Sequence, residues 1–198
     1  MIDLGNLGGT VNNNASAIND RGEIAGISGL AGNVTAHAFL WRKGVMKDLG
    51  TIPGDAEFLS VAIGVNDRSE VVGQSCNEAD DFCRAFVWRK GTMWDLNTLI
   101  PADSPWFLFE AVTINSRGQI VGLGFRFDLG EVRGFIATPC DDAPGSDSCA
   151  DSVNASFANQ GLAIANRNPS LPNHVRQLIQ QRRSRQSRIF GLSPQRRQ

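Results

Sequence analysis

The segment Ala15-Ser-Ala-Ile-Asn-Asp-Arg-Gly-Glu-Ile-Ala-Gly26 occurs in three similar copies in this chain of 198 residues. It returns as Ala62-Ile-Gly-Val-Asn-Asp-Arg-Ser-Glu-Val-Val-Gly73 and again as Ala111-Val-Thr-Ile-Asn-Ser-Arg-Gly-Gln-Ile-Val-Gly122. The copies lie 47 and then 49 residues apart. Self-similarity at such a spacing is the signature of a repeat architecture. The predicted units cover about residues 15–50, 62–97 and 111–138.

The first two units align without a gap, and 16 of 36 aligned positions are identical. The repeated residues are turn formers, glycines and large apolar side chains. Because they recur in phase with the units, we predict structural roles for them, in turns and in the core between units. These residues are Asn19, Asp20, Gly22, Gly26, Phe39, Trp41, Met46, Asp48, Asn66, Asp67, Gly73, Phe86, Trp88, Met93, Asp95, Asn115, Gly118, Gly122 and Phe135.

Short segments with β-branched residues predict four antiparallel strands in each unit. In the first unit, Asn19–Gly22 is a turn of the bulged-hairpin type, and Arg42–Gly44 is the turn of a second hairpin. Ser69 replaces the glycine of the first turn in the second unit, at a cost of roughly 1 kcal/mol if the turn is unchanged. Four strands in about 40–50 residues is the size of a propeller blade, so the predicted fold class is all-β.

The Asn-Asp-x-Gly turn, the strand His37-Ala-Phe-Leu-Trp41 and the closing segment Asp48-Leu-Gly50 resemble the bacterial extracellular HAF-repeat family. The resemblance covers about residues 2–138. It departs from the family pattern where His37 is replaced by Arg84 and Arg133 in the later units. It implies a secreted, propeller-like β-repeat protein, and it carries no catalytic residues over to this chain.

The N-terminal pentapeptide Met1-Ile-Asp-Leu-Gly5 matches the segments that close the first two units, whereas the third unit lacks a closing segment. We therefore hypothesise that Ile2–Leu4 supplies the missing strand. Three blades are fewer than the 4–8 that usually close a ring. Two alternatives remain: a homodimer that completes a six-bladed ring, and an open array of three units.

Charge divides the chain into an acidic body and a basic tail. Residues 1–138 hold 11 Lys and Arg against 16 Asp and Glu, and residues 167–198 hold eight Arg and no acid. The predicted repeat domain covers residues 1–139, and an acidic loop covers residues 140–151. We expect disorder over most of residues 152–198, with a brief helix near Val175–Ile179. The run Arg182–Arg188 indicates a solvated or envelope-contacting tail rather than a nucleic-acid site, because no aromatic residues are interleaved.

Four cysteines fall into two local pairs, which indicates two small disulfides; free thiols and metal binding are the alternatives. Acidic residues between the paired cysteines are weak candidates for calcium ligands, since carboxylate oxygens suit Ca²⁺. The pairs are Cys76 with Cys83 and Cys140 with Cys149. The calcium candidates are Glu78, Asp80, Asp81, Asp141, Asp142 and Asp147.

No constellation of residues predicts catalysis or a cofactor. The only histidines, His37 and His174, lie in unrelated segments, so a histidine-based triad or metal cluster is implausible. No apolar run is long enough to span a membrane. Disulfides would favour an extracellular or periplasmic location, although Met1–Leu4 does not resemble a signal peptide.

The segments Gly29–Ala36, Cys76–Cys83 and Gly124–Val132 occupy the same slot in each unit and share no sequence. The predicted function is therefore a secreted scaffold or recognition module that binds a protein or a glycan through these loops. The alternatives are a secreted enzyme that uses a propeller rim, and the terminal fragment of a longer repeat protein.

Overall fold

The computed structural model describes residues 1–54, 58–77, 82–140, 171–177 and 179–181, and most of them lie in β-strands. The fold is therefore mostly β, in agreement with the predicted class. The strands are β1 (Asn14–Ile18), β2 (Ile24–Gly29), β3 (Ala36–Arg42), β4 (Val45–Asp48), β5 (Leu59–Val65), β6 (Val71–Cys76), β7 (Cys83–Arg89), β8 (Thr92–Asp95), β9 (Trp106–Ile114), β10 (Ile120–Arg126) and β11 (Glu131–Ala137). A 3₁₀ turn follows β8 at Leu96–Thr98.

The described strands form two open sheets. The larger has the order β1-β2-β3-β5-β6-β7-β8 with β4 paired to β3, and the smaller has the order β11-β10-β9. Strand β3 joins β5 through one parallel pair, Ala36 with Leu59. All other strand pairs are antiparallel. We call β1–β4 unit 1, β5–β8 unit 2 and β9–β11 unit 3.

The two predicted hairpin turns form as their sequences require. In the first turn, Gly22 and Ser69 both have a positive φ, 71° and 60°. In the second, Lys43 (50°) and Gly44 (86°) both have positive φ, as the two central residues of a type I′ turn do. The turn type matches the right-handed twist of the flanking strands, so each hairpin is locally encoded.

A glycine faces an aromatic ring in the same register in each unit. Gly26 pairs with Phe39, Gly73 with Phe86, and Gly122 with Phe135. A Cβ at any of these glycines would overlap a neighbouring backbone oxygen. The repeated glycines are thus required by the close approach of two strands and not by their turn-forming ability.

The core lies between the units, where one unit packs face to face on the next. Between units 1 and 2 it contains Leu40 from β3 together with Phe86, Trp88 and Met93 from unit 2. Between units 2 and 3 it contains Val72 and Val87 facing Ala111, Ile114 and Ile120, with Phe135 packed beside them. Phe86, Trp88 and Met93, for which core roles were predicted, all lie in the core between units 1 and 2. Trp41 and Met46 differ, since both are only half-buried.

The predicted closing strand does not form. Strand β11 pairs only with β10, and Ile2–Leu4 lie outside any strand. The chain instead meets unit 1 through bridges from Leu7 and Gly8 to Leu30. Within one chain the two sheets are open, and the homodimer that would complete a ring stays a prediction.

The brief helix predicted near Val175–Ile179 is present in the structure. A helix, α1, spans residues 173–181. Leu171, Val175 and Ile179 are buried against Phe107 and Phe125 of unit 3. Val175 and Ile179, four residues apart, lie on one face of the helix, and Leu171 packs beside them from just before its first turn, which explains why so short a helix forms here. The rest of the predicted tail, including Arg182–Arg188, lies outside the described residues.

No helix that the structure describes has the length and apolarity needed to cross a membrane.

Candidate functional site

A ladder of asparagine side chains connects the first turns of the three units. Asn19 Nδ2 donates to the backbone oxygen of Asn66 over 2.8 Å, and Asn66 Nδ2 donates to the backbone oxygen of Asn115 over 2.9 Å. Within each turn, the asparagine Oδ1 also accepts a bond from the backbone N–H four residues on. The repeated asparagines therefore stabilise their own turn and bind it to the next unit. The sequence predicted the role within the turn but not the bond between units.

A buried carboxylate lies beside this ladder. Glu23 is 2% exposed and accepts hydrogen bonds from Asn19 Nδ2 (2.8 Å) and from Ser69 Oγ (2.8 Å). The guanidinium groups of Arg21 and Arg42 lie 3.6 and 3.3 Å away. Burial alone would raise the pKa of Glu23, but the bonds from Asn19 and Ser69 and the two positive charges outweigh it and hold the pKa below its ordinary value. A carboxylate committed to four partners is a structural group.

Ser69 compensates for the strain of its own backbone. Its φ of 60° is a conformation that residues other than Gly, Asn and Asp seldom adopt, whereas Gly22 at the same position of unit 1 adopts it without strain. Its hydroxyl, however, donates a hydrogen bond from unit 2 to the carboxylate of Glu23 in unit 1. Sequence reasoning identified the strain and missed the bond, because the two residues are 46 positions apart.

Positions 37 and 84, which match between the first two units, each carry a side chain that pairs with an aspartate. His37 Nδ1 lies 3.0 Å from Asp48 Oδ1, and Arg84 donates to Asp95 over 2.8 Å. Burial by itself would raise the pKa of Asp48. The bonds from His37 and from the Gly50 N–H lower the pKa by more than burial raises it, so the pKa lies below its ordinary value. These pairs tie β3 to β4 and β7 to β8.

The first variable loop is held in place by a single asparagine. Asn33 has a φ of 57°, and its Oδ1 accepts bonds from the N–H groups of Thr10 (2.8 Å) and Val11 (3.4 Å). Its Nδ2 donates to Thr10 Oγ1 over 3.1 Å. The loop therefore presents the next residue, Val34, in a defined position, with 81% of its surface exposed.

The third variable loop is held by an arginine. The guanidinium of Arg126 makes two bonds to the carboxylate of Asp128, and its Cζ lies 5.1 Å from the ring centroid of Trp106. Phe127, between Arg126 and Asp128 in the chain, is 43% exposed, and Leu129, directly after Asp128, is 47% exposed. The bond to Arg126 lowers the pKa of Asp128, so this pair stays ionised at neutral pH.

The second variable loop is closed by a disulfide between Cys76 and Cys83, whose Cα atoms are 4.0 Å apart. This predicted bond is confirmed. Cys140 is also disulfide-bonded, while Cys149 lies outside the described residues. The calcium candidates Glu78, Asp80, Asp81, Asp141, Asp142 and Asp147 lie outside them as well. Within the described parts, no three His, Cys, Asp or Glu side chains come together as metal ligands.

The three variable loops lie at the same end of their units. Each connects the second strand of a unit to the third, and the asparagine turns lie at the opposite end, because Ile24 pairs with Trp41 and Gly29 with Ala36. The exposed side chains of Val34, Phe127 and Leu129 therefore all belong to this loop end. Sequence reasoning identified the loops by their variability but did not identify these three residues.

No protein-family model matches the chain, and neither a curated protein nor a solved structure similar to it is found.

Proposed function

We propose that this protein is a non-catalytic recognition module of the HAF-repeat type, exported to an oxidising compartment, which binds another protein through its loop end. The observation that carries the proposal is the exposure of Val34, Phe127 and Leu129 on loops that other residues hold rigid. Large apolar side chains in water at one end of a molecule are typical of interaction surfaces. Loops that are already ordered lose little entropy on binding.

A protein partner fits these residues better than a glycan does. Two of the three exposed side chains, Val34 and Leu129, are aliphatic, and they gain most from burial against other apolar side chains. The charged pair Arg126–Asp128 beside them can form the polar rim of such an interface. Arg126 covers the ring of Trp106, so this tryptophan offers no open platform for a sugar ring.

Two features support a non-catalytic role and export. The titratable groups with several partners, Glu23 and Asp48, are each bound to neighbouring protein groups that hold units or strands together. The disulfide Cys76–Cys83 is stable in oxidising compartments and rare in the cytosol. An enzyme working at a propeller rim remains the second candidate class, without a residue that carries it.

Selection from a random-peptide phage library tests the proposal. We expect the immobilised wild-type protein to enrich a peptide family, and the variant F127S/L129S to lose binding of those peptides by at least about tenfold. The matched control is V45S, because Val45 is 67% exposed at the opposite end of unit 1. All three proteins should unfold at the same temperature.

Two results would contradict the proposal. Enriched peptides that bind F127S/L129S as well as the wild type would place recognition elsewhere. Retention by a glycan array that is abolished in F127S/L129S, with no enrichment of peptides, would show that the loops recognise sugars.

A further inference from the structure

The joints between units repeat position by position. Unit 1 presents Ala25, Ala38 and Leu40 to unit 2, and unit 2 presents Val72, Ala85 and Val87 to unit 3. Each residue of the second set lies 47 positions after its counterpart in the first. We call this surface of a unit its forward face and the surface that receives it the rear face. The rear faces contain Ala62, Val65 and Val71 in unit 2, and Ala111, Ile114 and Ile120 in unit 3.

Each of the two outermost faces leaves large apolar side chains exposed. On the forward face of unit 3, Val121 and Ile136 are 39% and 64% exposed, whereas their counterparts in units 1 and 2 are buried. On the rear face of unit 1, Ile18 is 68% exposed, whereas its counterpart Ile114 is buried. One end of the chain therefore carries the surface that the other end is shaped to receive.

Helix α1 covers part of the forward face of unit 3. It covers Phe125 and packs on Leu123 and Val132, the part of that face nearest the loops. The apolar surface left open on unit 3, at Val121 and Ile136, is thus the part nearest the asparagine turn.

The asparagine ladder is open at the same two ends. In the described structure, Asn115 Nδ2 donates only to Gln119 Oε1, whereas Asn19 and Asn66 each donate a second bond to the next unit. The backbone oxygen of Asn19 accepts only the N–H of Gly22, whereas that of Asn66 also accepts the side chain of Asn19. A further rung from Asn115 to Asn19 of a second copy would continue the ladder in the same direction.

The N-terminal segment is already folded as a closing segment. The N–H of Gly5 bonds Asp3 Oδ1 over 3.0 Å, just as the N–H of Gly50 bonds Asp48 Oδ1 over 2.8 Å. Leu7 then donates to Ser28 Oγ in unit 1 over 2.8 Å. The matching bond in unit 2 runs from the N–H of Ile52 to Ser75 Oγ over 3.2 Å. Residues 3–7 therefore lie against unit 1 as residues 48–52 lie against unit 2.

One charged pair is also incomplete. Asp48 and Asp95 in the closing segments pair with His37 and Arg84 of the preceding strand. The third members of the two series are Asp3 and Arg133. Both are exposed, and Arg133 bonds only its neighbour Glu131, over 2.7 Å, in the described structure.

We propose that two copies of this chain join head to tail into a closed ring of six units. The forward face of unit 3 packs on the rear face of unit 1 of the second copy, and the N-terminal segment of each copy becomes the fourth strand of unit 3 of the other. Arg133 pairs with Asp3 of the second copy at both joints. Six units lie within the 4–8 that close propellers, and the head-to-tail contact is of the kind that forms rings when its rotation closes.

Light scattering with size-exclusion chromatography, on protein with a free N-terminus and any tag at the C-terminus, tests the ring. A chain of 21.4 kDa should elute as a particle of twice that mass. The variants D3R and R133D place like charges at both joints, and each should weaken the dimer on the order of 100-fold. D103R, in an exposed loop away from the joint, is the matched control and should remain dimeric.

Mixing gives the decisive result. An equimolar mixture of D3R and R133D has one natural and one reversed charge pair in its two joints, so the dimer should return. Both substituted side chains are exposed, so equal melting temperatures of the isolated variants will show that they are folded. A monomeric wild type, a mixture that stays monomeric, or a mass that grows steadily with concentration would each overturn the proposed ring.

Discussion

The side-chain amide of Asn19 donates to the backbone oxygen of Asn66, 47 residues further along the chain, and Asn66 makes the same bond to Asn115. The turns of three successive units are thus linked through one residue type at one position. The middle asparagine has the most partners: its side chain bonds Glu70, Arg68 and the next unit, and it is 4% exposed.

The middle rung of the ladder should matter most for stability. We expect N66A to lower the free energy of unfolding by about 2–3 kcal/mol, because the buried Asn66 side chain makes part-buried bonds to Glu70 and to the backbone oxygen of Asn115 that are lost together. N115A is the matched control, since the exposed side chain of Asn115 bonds only within its own turn in the described structure, and it should cost less than about 1.5 kcal/mol. Urea denaturation of both variants measures the difference. Equal losses would show that the bond between units contributes little.

Ser69 should separate backbone strain from hydrogen bonding. S69A keeps the positive φ and removes the bond to Glu23, so we expect a loss of about 1–2 kcal/mol. S69G also removes the bond but relieves the strain, and it should be about 1 kcal/mol more stable than S69A. Thermal unfolding in parallel gives the comparison. If the two variants unfold together, the strain at this position is negligible.

Glu23 should make stability depend on pH in the acid range. Its pKa in the folded protein lies below the ordinary 4.5, so its ionised form stabilises the fold at pH values above 4.5. That contribution is lost as the pH falls through the folded pKa. E23Q should therefore be less stable than the wild type by about 1–3 kcal/mol at neutral pH, and the gap should narrow as the pH falls from 4.5. A gap that is constant down to the acid limit would contradict the assigned pKa direction.

Gly73 should not tolerate a methyl group. A Cβ there would overlap the carbonyl oxygen of Val61 on the paired strand, so G73A should cost about 3 kcal/mol or more. G134A is the control, because its added Cβ would meet nothing nearer than 3.8 Å. Circular dichroism on heating both variants gives the answer. Similar melting temperatures would mean that β5 and β6 can separate without cost.

The local structure was predictable from sequence where neighbouring residues decide it. The turns at Asn19–Gly22 and Arg42–Gly44 form as expected, because their φ angles depend on residue type within four positions. The disulfide between Cys76 and Cys83 was predictable for the same reason, since the two residues face each other across one hairpin.

The candidate loop site was predictable only in part. Variation at a fixed slot identified the three loops, but it did not identify Phe127 and Leu129 as exposed. That exposure depends on the bonds between Arg126 and Asp128 and on the stacking of Arg126 over Trp106, which lies on another strand. The contact between Arg126 and Trp106 joins residues 20 positions apart, and no periodic pattern in the sequence predicts it.

By itself the sequence determined the repeated unit, its hairpins and the mostly β character of the chain, because these depend on turn chemistry and on apolar residues in a fixed phase. Only the tertiary structure decided which repeated side chains are buried. Trp88 has a neighbouring unit against it and Trp41 does not, although the two residues occupy identical positions in their units. Burial depends on the contact between neighbouring units, and the sequence of one unit does not determine whether another unit packs against it.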